Sequence, residues 1–405
     1  PKQGKPTNVP GNLRPISLLS SVGKLAEKVI NNRLTRYDTK FKITQDEQFG
    51  FRQGHDTTQQ ITRIVTDITN NFNKDNITQL TLLDIRKAFD RVWIQGLIAK
   101  LLNTKIPINL IKFLQSYLTT RTLIVKTGNS LSTTRSIKAG VPQGSILGPK
   151  LFSLFIHDIP QFKHTNLALC ADDTAVYARS FYADVANKQV QMHMNVIENY
   201  YDDWLVEINQ DKTETVLFSR KYTNNKIITK LRVKGSQVDK QPVAKYLGVY
   251  LDSRLNFNHH ISQTKIKAEA TLKAVYPLLA KNSPLNQHNK IRIFKTIIRP
   301  VYTYAAPVWC GVSDTALLKL QRFQNKCLRL TTNSSRYTKI TDLHDITKTE
   351  PLRTYTDRLS YNFYKNRLRH SRLTQNLTKI RRHNMTTHIR HKYPYMRLSI
   401  FDETE

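Results

Sequence analysis

The stretch Leu167–Tyr177, which reads LALCADDTAVY, decides how the rest of the chain is interpreted. The residues on either side of its two acids are apolar or β-prone, a pattern typical of two strands joined by a tight turn. The pattern predicts a hairpin with Asp172 and Asp173 at its tip. Adjacent carboxylates raise each other's pKa, and burial disfavours their charged forms, so we expect a cation there. An ordinary Asp-rich turn is the alternative, because Asp also favours turns.

The chain is strongly basic. Its 405 residues include 63 Lys and Arg against 30 Asp and Glu, which gives a net charge of +33. Such an excess repels itself unless a polyanion neutralises it, so nucleic acid is the favoured partner and an unliganded basic protein is the alternative. A membrane is disfavoured, because no apolar run reaches the roughly 18 to 20 residues of a spanning helix. No signal peptide is recognised either.

The remaining bulk properties bound the fold. Hydrophobic residues make up 39% of the chain, enough for a folded core, and the length allows two or three domains. The three cysteines, Cys170, Cys310 and Cys327, form no CxxC pair, so neither a zinc module nor a disulfide framework is predicted. The first residue is Pro1 rather than Met, which suggests a fragment of a longer or processed product.

Hydrophobic spacing predicts helices and strands on both sides of the hairpin. Leu80–Phe89 begins as an apolar strand that reaches Asp84, and Ser20 or Ser21 is expected to cap the first helix. After about residue 255 the chain becomes helical and basic, so a domain boundary is expected there. The predicted helices are 22–34, 61–72, 94–102, 108–118, 151–156, 183–208, 291–301 and 317–330; further strands are 122–127, 130–137, 216–218, a pair around 235–236, and 243–251.

Two other stretches suggest contact with a ligand. Ala139–Pro149, AGVPQGSILGP, holds three glycines and two prolines, a composition that lets the backbone approach a ligand closely. Residues 362–397 hold ten Lys or Arg and no Asp or Glu, with Tyr and Phe interleaved. This pattern favours a surface that contacts phosphates and stacks on bases, and the alternative is a solvated tail.

Seven motifs in order resemble those of reverse transcriptases, and more closely the polymerase of a jockey-like non-LTR retrotransposon. The resemblance covers residues 1 to about 255, and VYTYAAPVW and LQRFQNKCLR resemble the region that follows the polymerase in those elements. The motifs are RPISLL (14–19), QFGFRQG (48–54), LDIRKAFD (83–90), GVPQGSILGP (140–149), CADD (170–173), NQDKT (209–213) and KYLGV (245–249).

The resemblance implies an α+β, right-hand polymerase fold. Its parts would be fingers (1–79 and 94–138), an antiparallel-sheet palm (80–93 and 139–255), a helical thumb (256–345) and a basic helical C-terminal extension (346–405). The implied activity is RNA-directed DNA synthesis, in which dNTPs are added to a primer 3′-hydroxyl. The implied partners are an RNA template and a DNA primer or target, and family analogy places the protein in the nucleus and cytoplasm. The oligomeric state stays open.

The resemblance also implies a metal site. Asp84, Asp172 and Asp173 match the family's metal-binding triad, with the backbone carbonyl of Ile85 as a further ligand. In-line displacement at phosphorus uses two divalent ions about 3.5 to 4 Å apart, and Mg²⁺, with Mn²⁺ as the alternative, prefers such hard oxygen ligands. Lys212 matches a candidate proton donor to the leaving pyrophosphate.

Five further residues match substrate contacts of the family. Arg52 and Lys87 would grip the triphosphate, since Arg in particular makes bidentate phosphate contacts. Phe89 matches the bulky residue beneath the sugar. Gln143 matches the residue that contacts the incoming nucleotide and the template, and Gly144 beside it is expected to bind substrate as well.

A few positions distinguish the alternatives. An aromatic ring at Phe89 would collide with a ribose 2′-hydroxyl, whereas RNA-dependent RNA polymerases place an acid five positions after the first Asp; here Asp90 lies six positions after Asp84. Cys170 departs from the Tyr or Phe that commonly precedes ADD in the family, which puts efficiency or fidelity in doubt. A nucleic-acid-binding protein without polymerase activity, such as a decayed element copy, is the alternative of another class.

Overall fold

The computed structural model describes residues 16–127, 129–221, 230–375 and 377. Helices and strands alternate in its first two thirds, and helices alone follow. The helices are α1 (Ser21–Phe41), α2 (Thr57–Asn73), α3 (Ile94–Leu102), α4 (Ile108–Thr119), α5 (Leu147–Phe155), α6 (Ala183–Asp203), α7 (Asn258–Leu279), α8 (Gln287–Ile293), α9 (Arg299–Thr303), α10 (Ala306–Trp309), α11 (Asp314–Thr332), α12 (Ile340–Thr347) and α13 (Leu352–Asn362).

Twelve strands are described, eight of them short. They are β1 (Ile77–Leu83), β2 (Thr122–Leu123), β3 (Lys126–Thr127), β4 (Ser130–Leu131), β5 (Arg135–Ser136), β6 (Thr165–Cys170), β7 (Asp173–Ser180), β8 (Glu214–Phe218), β9 (Leu231–Val233), β10 (Ser236–Val238), β11 (Val243–Tyr246) and β12 (Val249–Asp252). Short 3-10 turns lie at Ala88–Arg91 and Gln210–Lys212, and π-helical turns at Phe294–Ile298 and Phe363–Arg367. The predicted α+β class is confirmed.

The central sheet has four antiparallel strands in the order β6-β7-β1-β8. β1 lies between two neighbours and is buried over its whole length, as its nearly continuous apolar sequence requires. It begins at Ile77, three residues before the predicted start. The predicted hairpin is confirmed: β6 and β7 are consecutive, Cys170 pairs with Asp173, and Ala171 and Asp172 form the turn, with Ala171 at φ 57°.

Two hydrophobic cores cover the two faces of this sheet. Because side chains alternate along a strand, neighbouring residues of β7 enter different cores. Tyr177 belongs to the same core as Ile64 of α2 and Trp309 in the C-terminal helices. Val176 packs on the opposite face with Met194 of α6. The C-terminal helices therefore share one continuous core with the sheet and with α2.

Two predicted elements differ in extent. The helix predicted to reach residue 208 ends at Asp203, because Leu205 adopts the left-handed conformation at φ 56° and Ile208 forms a bridge with Ile85 next to β1. The predicted strand 243–251 is two strands, since Leu247 and Gly248 turn the chain at φ 45° and 88° and β11 pairs with β12. Helix α5 begins four residues earlier than the predicted 151.

Helix α1 is capped as predicted, with Ser20 Oγ accepting from the backbone N–H of Gly23 at 3.1 Å. Its apolar residues do not all enter the core. Leu34 is buried, whereas Val22 and Leu25 are 78% and 64% exposed. The helical spacing alone therefore identifies the helix but not the face that packs.

The predicted hairpin at 122–137 is present as two short ladders, β2 with β5 and β3 with β4, while Gly128 at its turn lies outside the described residues. Most of the basic stretch 362–397 also lies outside them, but its described beginning is packed rather than solvated, with Phe363 and Leu368 buried. Helix α12 crosses the predicted thumb boundary at 345, and the domain boundaries stay predictions. No helix in the described ranges combines the length and apolarity that membrane crossing needs.

Candidate active site

The acidic residues come from two segments far apart in the sequence. Asp84 directly follows β1, and Asp172 and Asp173 lie where β6 turns into β7. Leu83 is paired with Thr174, so the antiparallel register continues with Asp84 beside Asp173. The sheet thus brings the three predicted carboxylates together at one end of its two central strands, β1 and β7, a place that we call the acidic edge.

The pKa of Asp173 reflects the electrostatic environment of the acidic edge. The surrounding protein desolvates its carboxylate, and the charges of Asp172 and Asp84 add to the effect, which together raise its pKa from 3.8 to about 6. Lys212 opposes the rise. The side chain keeps part of its surface open to solvent, so a cation can reach it. The electrostatic coupling places all three acids in one neighbourhood.

Asp84 is held by the segment that precedes β8. Its Oδ2 accepts a hydrogen bond from Lys212 Nζ at 3.0 Å and another from Asn209 Nδ2 at 2.9 Å. The backbone N–H of Asn209 also donates to the carbonyl of Asp84 at 2.7 Å. Asn209 therefore orients Asp84 through both backbone and side chain. It belongs to the motif NQDKT, but sequence reasoning assigned a role only to Lys212.

The orientation of the Ile85 peptide follows from its neighbours. The carbonyl of Asp84 accepts from Asn209, and the N–H of Arg86 donates to the carbonyl of Glu207 at 2.8 Å. Successive residues of an antiparallel strand direct their peptide groups to opposite sides. The carbonyl of Ile85 therefore points away from that segment, toward the side on which β7 and Asp173 lie.

The carboxylates fit a divalent cation in chemistry and charge. Hard oxygen donors suit Mg²⁺ and Mn²⁺, and a cation would neutralise the repulsion that raises the pKa of Asp173. Within the described ranges, however, no three side chains of Asp, Glu, His or Cys surround a common point that could hold a metal. Asp84 is turned toward Lys212 and Asn209 instead. Shared binding by all three acids requires Asp84 to exchange these contacts for the cation.

Gln143 is fixed against the segment that follows Asp84. Its Nε2 donates to Asp90 Oδ1 at 2.8 Å, and the N–H of Val141 donates to the carbonyl of Phe89 at 2.7 Å. The glycine-rich loop therefore packs beside the predicted sugar-sensing residue. Asp90, which sequence reasoning used only to exclude another polymerase class, acts here as the anchor of Gln143.

Gly144 lies in close contact with the chain near the start of α1. Its φ is 95°, and a Cβ on it would come within 2.8 Å of the carbonyl oxygen of Ser17. The carbonyl of Gln143 also accepts from the N–H of Ser17 at 2.6 Å. Only glycine combines this conformation with this approach, so the described geometry gives Gly144 a role in packing the loop.

Phe89 is half-buried and braced by two rings. It stacks on Phe152 with the ring centroids 4.9 Å apart, and Phe51 meets it edge-on at 6.2 Å. Phe51 itself is 59% exposed and has a φ of 54°. Phe152 and Phe51 therefore hold the ring of Phe89 in place. Phe51 also presents an accessible aromatic surface, although the sequence analysis did not predict it as a site residue.

The two predicted triphosphate residues differ in their restraint. Arg52 donates to the carbonyl of Gln45 at 3.1 Å and pairs with Asp46 Oδ1 at 3.3 Å. Arg372, from the C-terminal segment, pairs with the other oxygen of Asp46 at 2.8 Å. Lys87 is exposed, with a φ of 49°. Arg52 is thus pre-positioned and Lys87 is not.

A buried carboxylate braces the glycine-rich loop from behind. Glu27 of α1 accepts from the N–H of Ile146 at 2.7 Å, and it also accepts from the hydroxyl of Tyr117. Ile146 precedes the first residue of α5 and has no capping side chain, so Glu27 supplies the negative charge that a helix N-terminus favours. Sequence reasoning missed Glu27, because nothing local distinguishes it from a solvated helix residue.

These features agree with the comparison to known families. Residues 1–251 match the family described as reverse transcriptase (RNA-dependent DNA polymerase). The chain therefore belongs to the reverse transcriptase family, and the expected right-hand polymerase fold is confirmed.

Its relatives come from mobile elements, which confirms the jockey-like resemblance. The chain is 36% identical over 348 residues to the probable RNA-directed DNA polymerase from transposon X-element of Drosophila melanogaster. It is 32% identical over 351 residues to the RNA-directed DNA polymerase from mobile element jockey of the same organism. These alignments cover 85% and 84% of this chain but 38% of each relative, so the chain spans well under half of their length.

Solved structures give a more distant match. The telomerase of Candida albicans, in complex with a fragment of telomeric RNA, aligns with a TM-score of 0.47 and 12% identity. The alignment covers 82% of this chain and 59% of the telomerase chain.

Proposed function

We propose that the chain carries the RNA-directed DNA polymerase activity of a non-LTR retrotransposon, adding dNTPs to a primer 3′-hydroxyl on an RNA template. The observation that carries this proposal is the acidic edge, where β1 and the β6–β7 hairpin bring Asp84, Asp172 and Asp173 together, and where desolvation, Asp172 and Asp84 raise the pKa of Asp173. Membership of the reverse transcriptase family and the printed activities of the relatives support the same reaction. The net charge of +33 suits an RNA template and a DNA primer as partners.

The proposed chemistry is nucleotidyl transfer assisted by two metal ions. Asp84, Asp172, Asp173 and the carbonyl of Ile85 would hold two Mg²⁺ or Mn²⁺ ions, which when bound lower the pKa of the primer hydroxyl and neutralise charge on the triphosphate. Lys212 lies beside Asp84 and is proposed to protonate the leaving pyrophosphate. Asn209 sets the orientation from which Asp84 turns toward the ions.

The remaining residues are proposed to hold the nucleotide. Arg52 and Lys87 bind the triphosphate, and the pre-positioning of Arg52 by Gln45 and Asp46 reduces the entropy lost on binding. Phe89 supports the sugar and rejects the ribose 2′-hydroxyl, because its stacking on Phe152 leaves the ring little freedom to move aside. Gln143, anchored by Asp90, and Gly144 form the neighbouring wall.

Primer extension on an RNA template with labelled dNTPs and Mg²⁺ tests the proposal. The wild-type chain should extend the primer, and Asp172→Asn and Asp173→Asn should reduce extension to background. Asp239→Asn, a change at an exposed Asp that follows β10, is the matched control and should extend normally. Extension that survives the two substitutions would place catalysis elsewhere. RNA binding without extension by the wild type would support the non-catalytic alternative.

Nuclear and cytoplasmic residence stays a prediction.

A further inference from the structure

A basic groove lies on the C-terminal helices, in elements that supply no residue of the acidic edge. It has a volume of about 610 Å³ and lies between the end of α7 and the second half of α11, including the loop that follows. None of the described residues that line it is an acid. The side chains that define this basic groove are Tyr276, Lys281, Arg322, Lys326, Arg329 and Arg336.

Three of the cations occupy one face of α11. Arg322, Lys326 and Arg329 are separated by four and three residues, which places them one above another on a helix. Like charges at these spacings destabilise a helix. The opposite side of the helix is buried in the core, so the cations cannot turn away from the groove together. A bound anion would remove the repulsion between them.

Arg329 is held at the groove by the backbone, and exposed rings lie in the groove and beside it. Arg329 Nη2 donates to the carbonyl of Thr338 at 3.3 Å, while its buried Nε has no hydrogen-bond partner in the described part of the chain. The guanidinium of Arg336 lies 4.7 Å from the ring centroid of Tyr337. Tyr276, which lines the groove, is 49% exposed, and Tyr337, which lies beside the groove against Arg336, is 78% exposed. Exposed aromatic rings among cations match the way in which proteins bind unpaired bases and their phosphates.

We infer that the basic groove binds a single strand of nucleic acid, with phosphates on the cations and bases stacked on Tyr276 and Tyr337. This inference rests on the proposed function only in taking nucleic acid as the natural partner. The bases of a duplex are paired and already stacked, so a duplex would gain contacts from the cations but not from the rings. The groove is therefore a second binding site, separate from the acidic edge.

The test compares two triple variants that lose the same charge. Arg322→Gln, Lys326→Gln and Arg336→Gln remove three of the five cations that line the groove, while Lys105→Gln, Lys112→Gln and Lys163→Gln remove three exposed lysines elsewhere. Binding of a labelled single-stranded RNA is followed by fluorescence anisotropy in EDTA, between about 50 and 200 mM salt. A plot of log K against log salt has a negative slope, and each phosphate contact on a single strand adds about 0.7 to its steepness. The slope of the groove variant should therefore be shallower than that of the wild type by about 2. The control variant should keep the wild-type slope.

The aromatic contacts are tested separately. Tyr276→Ala and Tyr337→Ala should each weaken single-strand binding by about tenfold without changing the salt slope, and should leave duplex binding unchanged. A wild-type slope in the groove variant would overturn the inference, as would equal losses for single strand and duplex in the Tyr variants. Primer extension on saturating template should be normal in the groove variant. Failure of the wild type to extend would instead count against the proposed polymerase and leave the binding result valid.

Discussion

Asp173 permits a prediction in which catalysis and stability change in opposite directions. In the absence of metal the three carboxylates stand close together. Desolvation, and then the charges of Asp172 and Asp84, raise the pKa of Asp173 from 3.8 to about 6. Asp173→Asn removes one of these charges while keeping the size of the side chain. We expect this variant to lose polymerase activity and yet to unfold at a higher temperature than the wild type in EDTA at neutral pH.

The expected gain in the free energy of unfolding follows from the size of the pKa shift of Asp173. A rise from 3.8 to about 6 corresponds to at most about 3 kcal/mol, at 1.36 kcal/mol per pKa unit. Asp173 is partly exposed, and solvent screens its interactions, so about 1 kcal/mol is the expected gain. For a chain of this length that is about 1 to 2 °C in Tm.

The sign of the pH dependence is fixed by the direction of the shift. The folded protein holds the Asp173 proton more tightly than the unfolded chain, so this group favours folding below about pH 4 and loses that contribution as the pH rises through about 6. Asn carries no such proton. The advantage of Asp173→Asn should therefore be present above about pH 6 and should vanish near pH 4.

Thermal unfolding monitored by circular dichroism provides the measurement. Wild type, Asp173→Asn and the control Asp239→Asn are compared in EDTA at about pH 7.5 and about pH 4, then at about pH 7.5 with excess Mg²⁺. Mg²⁺ should stabilise the wild type and the control, and should do so less in Asp173→Asn, because ligands that bind only the folded state raise Tm. A lower Tm for Asp173→Asn in EDTA at neutral pH would refute the reasoning, since it would mean that the carboxylate stabilises the metal-free fold.

Three further substitutions test other contacts. Asp38→Asn leaves Lys150 without its partner in a pair whose side chains are 8% and 10% exposed, so urea unfolding should show a loss of about 3 to 5 kcal/mol. Phe89→Ala should raise ribonucleotide incorporation relative to deoxynucleotide by about tenfold or more, measured by single-nucleotide extension, because the ring no longer excludes the 2′-hydroxyl. Arg52→Ala should raise the KM for dNTPs by about 10- to 100-fold, with a smaller change in kcat, because a charged phosphate contact is lost.

Each of the three has a result that would contradict it, and the first also has a control. Unfolding at the wild-type urea concentration would show that the buried pair contributes little, and Lys188→Gln, which breaks an exposed pair with Asp184, should behave like wild type. Unchanged rejection of ribonucleotides in Phe89→Ala would remove Phe89 as the sugar sensor. An unchanged KM in Arg52→Ala would show that Arg52 serves only to hold the loop at Asp46.

Local patterns predicted the acidic hairpin, the family resemblance placed Asp84 beside it, and long-range contacts explain what both missed. The hairpin at Asp172 follows from alternation and turn chemistry within eleven residues, and it is present as predicted. The helix was predicted to extend over 183–208 because apolar residues continue past Asp203. In the structure it ends there, and Ile208 pairs with Ile85 instead. Asn209 and Glu27 owe their roles to partners more than a hundred residues away, so no spacing rule identifies them.

The folded unit continues beyond residue 251, where the family match ends. The match ends at residue 251, and the sequence becomes helical and basic soon afterwards, which favours a boundary. Yet Tyr177 of the sheet and Ile64 of α2 share a core with Trp309, and the hydroxyl of Tyr304 bonds to both Thr57 and the carbonyl of Leu247. Without the C-terminal helices one face of the catalytic sheet would be open to water. The helices beyond residue 255 therefore stabilise the sheet that positions the three carboxylates, in addition to any contact they make with nucleic acid.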